Sequence, residues 1–199
     1  NRINIEADWY KRNNYDLIGP VTTQGIGGQV TKFGNVASMS SSGVEFTLST
    51  KNNDGKNFKW TTDFIYSHAE NKVTDLENQQ RVIDLVAGTG FALEGYPVRS
   101  VFSIPFRGLN EQGVPTFLDQ NGNVTTTGIY FQERDNIDFL EYSGTADPTD
   151  FGSFGNTFQW KGLKLNVFFT YSFGNVVRMD PVFTSSYSDL TAMPKEFKN

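Results

Sequence analysis

Alternation of apolar and polar residues is the clearest pattern along this chain, and it is strongest between Leu163 and Phe173. The odd positions of that stretch are Leu, Leu, Val, Phe, Tyr and Phe, whereas the even positions are largely polar. A period of two predicts a β-strand with one apolar and one polar face. The stretch is long enough to cross a membrane, which takes roughly 9–11 strand residues. An apolar face this rich in aromatic residues suits lipid as well as a protein core.

Four further segments alternate in the same way and are predicted to be strands. They are Arg2–Tyr10, Gly43–Thr50, Phe58–Glu70 and Ser153–Trp160. In the last of them Asn156 is a misfit, because it falls on the apolar face. The polar faces carry charged residues, namely Glu6, Asp8, Glu45, Lys59 and Asp63. Such rows fit the hydrated interior of a large barrel.

The connections between these strands alternate in length. Asn52–Asn57 is predicted to be a tight turn in which Asp-Gly supplies positive φ, and Lys161-Gly162 is predicted to be another. The connections Lys11–Ser42 and Asn71–Gly152 are long, and the chain after Tyr171 is irregular. Short turns at one end and long loops at the other are typical of outer-membrane barrels.

The longest connection is expected to hold an even number of membrane crossings, zero being the simplest case. Within it, Tyr96–Phe102 and Gly113–Gly122 are predicted to form small hairpins. Five strands cannot close a barrel, since about eight is the smallest number that does. A bare aromatic face with two open edges would aggregate in water. We therefore expect the missing strands to come from elsewhere in a longer protein; a processed mature domain is the alternative.

Composition argues against several classes of partner and site. Charged residues make up 20% of the 199 residues, the net charge is −5 and no basic cluster is present, which argues against a nucleic-acid partner. The chain has no cysteine, so neither a disulfide nor a thiolate metal site can form. No run of 18 apolar residues predicts a transmembrane helix.

Side chains that could carry chemistry are few. His68, the single histidine, is interpreted as an ordinary strand-end or loop residue rather than a catalytic or zinc-binding one. Asp119–Asn123 has a superficial likeness to a calcium loop but lacks its closing Glu, so a turn is favoured. Asp147–Asp150 is also predicted to be a turn.

Two carboxylate pairs and two glycine runs complete the candidates. Glu133/Asp135 and Asp138/Glu141 could be proposed as glycosidase acids, but solvated loop charges are the favoured interpretation. Gly25–Gly28 and Gly88–Gly90 do not match a phosphate-binding loop. The prediction is a protein that is not an enzyme, with no catalytic residue, no metal and no cofactor.

Loop aromatic residues are the remaining candidates for ligand contact, although packing within the loop is favoured for each ring singly. They are Phe91, Tyr96, Phe102, Phe106, Phe117, Tyr130, Phe131, Phe139, Tyr142 and Phe151. The sequence does not assign particular substrate-binding residues among them.

Taken in order, several segments resemble the late barrel of the SusC/RagA-type TonB-dependent outer-membrane transporters. They are Asp8–Ile18, Gly34–Phe46, Trp60–Val73, Glu94–Val98, Phe106–Pro115, Phe151–Leu165 and Tyr171–Asn175. The resemblance covers nearly the whole chain, and the ordered set is more specific than any one piece.

The resemblance implies an all-β, antiparallel transmembrane segment with long extracellular loops, about five strands of a plugged 22-stranded barrel. It implies uptake of glycan or peptide fragments across the bacterial outer membrane, typical of Bacteroidetes. The expected partners are outer-membrane lipid, a SusD-like lipoprotein lid and, through an N-terminal part, TonB. Residues 1–199 show no plug domain or TonB box, and the last strands are also expected to be missing.

Two alternatives stay open from the sequence. A soluble all-β carbohydrate-binding module would use the aromatic rows as its core and needs a second sheet facing the first. A secreted β-rich hydrolase would need a convergent pair of acids, which the sequence does not display.

Overall fold

The computed structural model describes residues 1–22, 31–77, 79–87 and 92–179. Within these residues it contains one short helix and ten strands. In chain order they are β1 (Ile3–Thr22), β2 (Thr31–Asp54), β3 (Phe58–Leu76), α1 (Val82–Val86), β4 (Ser100–Ser103), β5 (Phe106–Leu109), β6 (Pro115–Leu118), β7 (Val124–Thr125), β8 (Glu141–Thr145), β9 (Asp150–Trp160) and β10 (Leu163–Phe173). The prediction of an all-β chain is confirmed.

The main structure is a five-stranded antiparallel sheet with the strand order β1-β2-β3-β9-β10. β3 pairs directly with β9, from Phe58 opposite Trp160 to His68 opposite Asp150. The described residues between β3 and β9 therefore add no strand to this sheet, which agrees with zero, the simplest case of the expected even number. Among the described residues β1 and β10 are both edges of the sheet, so the five strands form no closed barrel.

The predicted long connection Lys11–Ser42 is wrong. β1 continues to Thr22 and β2 begins at Thr31, and the two strands pair over this whole length. The register shifts around Leu17, next to Asp16, whose φ is 55°. Alternation of side chains is required only where one face is apolar, so backbone pairing continues where the pattern has already ended.

Both predicted tight turns are present at the same end of the sheet. Lys161 and Gly162 have φ angles of 44° and 88° and join β9 to β10. The other turn differs from the prediction, because the positive φ expected of Asp-Gly is absent. Instead, the N–H of Gly55 donates to Asn53 Oδ1 (2.9 Å) and to the carbonyl of Phe58 (3.0 Å). An asparagine side chain thus closes the turn.

The strand register places the predicted apolar rows on one face of the sheet. Trp9 lies opposite Val44, Phe64 lies opposite both Leu48 and Phe154, and Phe154 lies opposite Phe169. This face is open to its surroundings: Trp9 is 70% exposed and Phe169 is 61% exposed. Among the described residues no second sheet covers it, which argues against the soluble sandwich.

Asn156, the misfit, is satisfied on the apolar face. Its Oδ1 accepts hydrogen bonds from Trp60 Nε1 (2.9 Å) and Thr62 Oγ1 (2.7 Å). The polar side chain therefore lies within a small network with its neighbours on β3. An amide paired in this way costs far less in an apolar environment than an unpaired one.

Residues 79–87 and 92–149 form a compact unit at the opposite end from the tight turns, which we call the loop module. It contains a two-stranded sheet, β4-β8, and a three-stranded sheet, β5-β6-β7. The prediction of a hairpin at Gly113–Gly122 is confirmed in part. β6 lies within this range and pairs with β5 on one side and with β7 on the other, so two consecutive hairpins are present. The hairpin predicted at Tyr96–Phe102 is wrong, because Ser100–Ser103 pairs with the distant β8 instead.

Among the described residues, the buried apolar core lies where the loop module meets the outer ends of β2 and β3, and not on the apolar face of the sheet. Its members come from the outer ends of β2 and β3, from α1 and from β4; they are Val36, Val73, Val82, Leu85, Val101 and Phe102. In the parts of the chain that the structure describes, no helix is long and apolar enough to span a membrane.

Candidate functional site

The loop module is joined to β3 above the point where β9 begins. The N–H of Ala69 donates to the carbonyl of Thr149 (2.8 Å), and the N–H of Val73 donates to the carbonyl of Tyr96 (2.9 Å). The N–H of Gly95 returns a bond to the carbonyl of Val73 (2.9 Å). Loop backbone thus takes the place of a neighbouring strand along the outer end of β3.

Three loop aromatic residues form the centre of the module. The ring of Tyr96 lies 5.1 Å from that of Phe102 and 5.0 Å from that of Tyr142. Phe102 is 3% exposed, whereas Tyr142 is 39% exposed. Phe102 therefore packs, and Tyr142 presents a ring that its two neighbours hold in place.

The other loop aromatic residues divide between packing and exposure. The rings of Phe106 and Phe117 lie 6.0 Å apart across β5 and β6. Phe139 is half-buried, and Phe91 lies outside the described residues. The exposed members are Phe106, Tyr130, Phe131 and Phe151. Packing is thus one role of these rings, and Tyr142 is the one that combines exposure with a fixed ring cluster.

A recess of about 410 Å³ lies between the outer end of β3 and the loop module. Its walls include Glu70, Asn71 and Lys72 on one side and Tyr142 on the other. A neighbouring recess of about 370 Å³ continues along β3 to Thr74 and shares Lys72 with the first. We call the two together the β3 groove.

The chain after β10 packs against the same module. The N–H of Val176 donates to the carbonyl of Thr145 (2.8 Å), and Arg178 Nη2 donates to the carbonyl of Phe102 (2.6 Å). Gly144 is required here, because a Cβ on it would lie 2.8 Å from Val176 Cγ1. Residues 174–179 are irregular, as predicted, and the rest of the predicted tail lies outside the described residues.

α1 is fixed by charge and by backbone bonds. Arg81 Nη2 lies 2.7 Å from Asp84 Oδ1, and Arg81 Nε donates to Asp84 Oδ2 (2.8 Å). These bonds hold the pKa of Asp84 below its usual value. The N–H groups of Val82 and Ile83 donate to the carbonyls of Glu133 and Phe131 (both 2.9 Å).

The candidate glycosidase acids have separate structural contacts. Glu133 Oε1 accepts bonds from the N–H groups of Arg134 (2.9 Å) and Asp135 (3.0 Å), which hold the pKa of Glu133 below its usual value. Asp135 Oδ1 instead accepts a bond from Gln79 Nε2 (3.1 Å). A carboxyl with a lowered pKa is a poor general acid at neutral pH. That the carboxylate pairs are not catalytic remains a prediction.

Asp119 closes a turn, as predicted. Its Oδ1 accepts the N–H groups of Asn121 (2.9 Å) and Asn123 (2.7 Å), and these bonds lower the pKa of Asp119. Within the described residues no group of three or more His, Asp or Glu side chains has the geometry of a metal site. The glycine runs Gly25–Gly28 and Gly88–Gly90 lie outside the described residues.

His68 has a partner that the sequence did not reveal. Its Nδ1 lies 2.9 Å from Asp150 Oδ1, and the same oxygen accepts a bond from the Tyr66 hydroxyl (2.6 Å). His68 Nε2 lies 3.4 Å from Glu70 Oε1. Both ring nitrogens thus face carboxylates and neither faces a nucleophile. The strand register could have identified this partner, because His68 lies opposite Asp150 once Phe58 lies opposite Trp160.

The predicted polar rows lie together on the other face of the sheet. Asp8 is directly opposite Glu45, and Asp63 accepts a bond from Ser49 Oγ (2.6 Å). Lys59 Nζ lies 3.6 Å from Asp54 Oδ1. This face therefore carries charges of both signs across β1, β2 and β3, since Arg12, Lys51 and Lys59 share it with the acids. Such a charged face suits hydration rather than burial.

The chain is similar in sequence to part of much longer TonB-dependent receptors. It is 25% identical over 194 residues to the TonB-dependent receptor P3 of Formosa agariphila, a match that covers 89% of this chain and 19% of the relative. It is 28% identical over 196 residues to the TonB-dependent receptor P26 of the same organism, covering 88% of this chain and 19% of the relative. No protein-family model matches the chain.

The chain is also similar to part of solved structures of a related transport system. The RagAB peptide importer in its closed-closed state matches with a TM-score of 0.66 and 25% identity, over 88% of this chain and 20% of the matched chain. The RagAB peptide transporter matches with a TM-score of 0.67 and 22% identity, over 87% and 19%; this second likeness shows the fold alone. The chain spans about a fifth of the length of these relatives.

Proposed function

We propose that this chain, which is related to the TonB-dependent receptors of the SusC/RagA type, forms five wall strands and an extracellular loop of an outer-membrane nutrient importer. TonB-dependent receptors reside in the bacterial outer membrane and are transporters rather than enzymes. The matched relatives carry the names of receptors, importers and transporters.

One observation carries the proposal. The sheet has an aromatic face that no described residue covers, a charged and polar face on its other side, and edges at both β1 and β10. Lipid on the first face, water in a lumen on the second and further strands at the edges would satisfy all three features. A parent barrel of 22 strands has a lumen wide enough to hold a plug.

Peptide is the favoured cargo, and a glycan fragment is the alternative. The solved structures that match are titled as peptide importers or transporters. The loop module offers an exposed Tyr142 and the β3 groove at the outer end of the wall. In this proposal the module contacts cargo and a SusD-like lipoprotein lid, while TonB engages another part of the receptor.

The test uses the full-length receptor that contains these residues, in a host whose own copy has been deleted. We expect the receptor in the outer-membrane fraction, and we expect it to restore uptake of a fluorescent peptide pool that a protonophore abolishes. A parallel fluorescent oligosaccharide pool tests the alternative cargo. Recovery of the receptor in the soluble fraction, or uptake of neither pool, would contradict the proposal.

A further inference from the structure

In the part of the chain that the structure describes, one residue at the outer end of β3 has neither its N–H nor its C=O paired on the side away from β2. Residues at odd positions here direct their N–H and C=O groups away from β2, as the bonds of Ala69 to Thr149 and of Val73 to Tyr96 show. Asn71 lies between them and faces the same way. Among the described residues its N–H and C=O have no backbone partner on that side. The loop replaces a neighbouring strand above and below Asn71, but not at it.

This open position faces the β3 groove. Asn71 lines the larger recess, of about 410 Å³, together with Gly95, Pro97 and Gly144. The two glycines have no side chain, so the main chain of a ligand can come close to the strand. The unpaired groups are those of the Asn71 main chain and not of its side chain, because the side-chain Oδ1 already accepts a hydrogen bond from the N–H of Val98 (2.8 Å).

The side chains around the groove suit a peptide. Tyr142 supplies an exposed ring that its aromatic neighbours hold in place. Lys72 is exposed and has no ion-pair partner in the part of the chain that the structure describes, so its ammonium can meet a carboxylate. A donor and an acceptor on one strand residue match the acceptor and donor of one residue of another extended chain. Sugar hydroxyls have no such fixed spacing.

We propose that the β3 groove binds the main chain of an extended peptide, one residue of which exchanges two hydrogen bonds with Asn71. The inference rests on the proposed function and adds a site to it. Recognition through main chain makes this part of the binding independent of peptide side chains.

A matched pair of variants tests the site in the full-length receptor. Asn71→Ala and Asn71→Pro both lose the bond to Val98, but only the proline also loses the N–H. Because this N–H does not pair with β2, proline is compatible with the strand edge. We expect Asn71→Pro to bind a labelled test peptide about three- to tenfold more weakly than Asn71→Ala, the effect of one hydrogen bond. Equal affinities would overturn the proposal.

A second measurement does not depend on the proline variant being folded. A set of test peptides, each N-methylated at a single position, is titrated against wild-type receptor. We expect one position at which N-methylation weakens binding, and a smaller effect of it in Asn71→Pro than in Asn71→Ala. Uniform affinity across the set, or equal sensitivity in both variants, would overturn the site.

Two further outcomes separate this inference from the proposed function. If wild-type receptor neither binds nor imports any peptide, the proposed peptide cargo fails and the site fails with it. If peptides are imported but Asn71→Pro weakens only capture of the lipoprotein lid, the importer stands and the peptide site is wrong.

Discussion

The sheet and the loop module both contain apolar side chains, but they differ in how far these side chains are exposed. In the sheet, Leu163 is 70% exposed and Phe169 is 61% exposed, although both belong to well-paired strands. In the loop module, Val82 and Leu85 are completely buried. The apolar face of the sheet is thus open to the surroundings, whereas the loop module covers a core of its own, although some of its apolar residues, such as Phe106, stay exposed.

The proposed function explains the difference by giving the two regions different solvents. The loop module excludes water from its own core, as a soluble domain does. The sheet satisfies its backbone groups by pairing between strands and leaves one face apolar, which is the arrangement that lipid demands. Exposure of a side chain therefore has to be judged against the solvent that its face meets.

Phe102→Ala is expected to have the largest effect and to act on the loop module. Removing a buried phenylalanine costs about 3–5 kcal/mol, through lost transfer energy and a cavity. Phe102 also contacts both Tyr96 and Tyr142, so the ring cluster should loosen with it. In the full-length receptor, hydrogen exchange should rise in residues 79–149 while the five sheet strands stay protected.

Phe106→Ala is the matched control, because Phe106 is 56% exposed on β5. It should change exchange in the loop module by much less than Phe102→Ala. If Phe102→Ala instead released the sheet strands, the two regions would be one cooperative unit and the comparison would fail.

Phe169→Arg is the corresponding change in the sheet. A cation on the lipid face near the middle of a membrane strand costs about 2–4 kcal/mol, whereas changes on the lumen face cost little. Thr170→Arg is the control, since Thr170 is the next residue and points to the opposite face. Equilibrium unfolding of the receptor in lipid vesicles measures both, and equal losses would mean that this face does not meet lipid.

Register explains how much of the sheet could be predicted from sequence. Each tight turn anchors an antiparallel pair, β2 with β3 and β9 with β10, and counting from it gives the opposite residues within that pair. β3 and β9 are joined by no tight turn, and their register follows only once the two turns are placed side by side, which puts Phe58 opposite Trp160 and His68 opposite Asp150. The pairing of β4 with β8 could not be found in that way, because no turn joins them. It depends on burial of Val101 and Phe102 in a core that only the folded module creates.

The candidate site likewise depends on tertiary contacts that the sequence does not reveal. Tyr142 was among the predicted loop aromatic residues, but its selection depends on contacts with Tyr96 and Phe102. The open main chain at Asn71 had no sequence signal, since it arises from where β9 begins and where the loop rejoins β3. Local alternation predicts strands and faces; it does not predict which stretch of loop lies beside them.

Acid should loosen the loop module through its carboxylates. The pKa of Asp84 is lower in the folded protein than in the unfolded chain because Arg81 hydrogen-bonds the ionised form. Its contribution is complete above the unfolded-state pKa of about 4 and is lost as the pH falls through the lower folded-state value. Asp84→Asn removes this contribution, which is about 1.5–3 kcal/mol for a hydrogen bond to a charged group and falls toward about 1 kcal/mol where, as here, water screens the pair.

Exchange of the loop module measured from pH 6 to pH 3 checks this prediction. Wild-type receptor should lose protection around α1 on acidification, and Asp84→Asn should start lower and change less. Asp138→Asn is the control, since the described residues give Asp138 no hydrogen-bond partner. If protection in Asp84→Asn fell with pH as steeply as in the wild type, the pair of Arg81 and Asp84 would not stabilise the module.

The smallest expected effect concerns a contact that spans three strands of the sheet. The Tyr171 hydroxyl on β10 donates to the carbonyl of Ile65 on β3 (3.0 Å), passing over Gly152 of β9. A Cβ on Gly152 would clash with the backbone carbonyl of Ile65 and would lie 2.6 Å from that hydroxyl, so only glycine leaves the path open. Tyr171→Phe should cost about 1 kcal/mol in lipid vesicles, since one hydrogen bond is lost. Gly152→Ala should cost more, because its Cβ would press on the β3 backbone as well as on the tyrosine. If Tyr171→Phe were neutral, the hydroxyl bond would add nothing, and the sheet would owe its cohesion to backbone pairing and lipid alone.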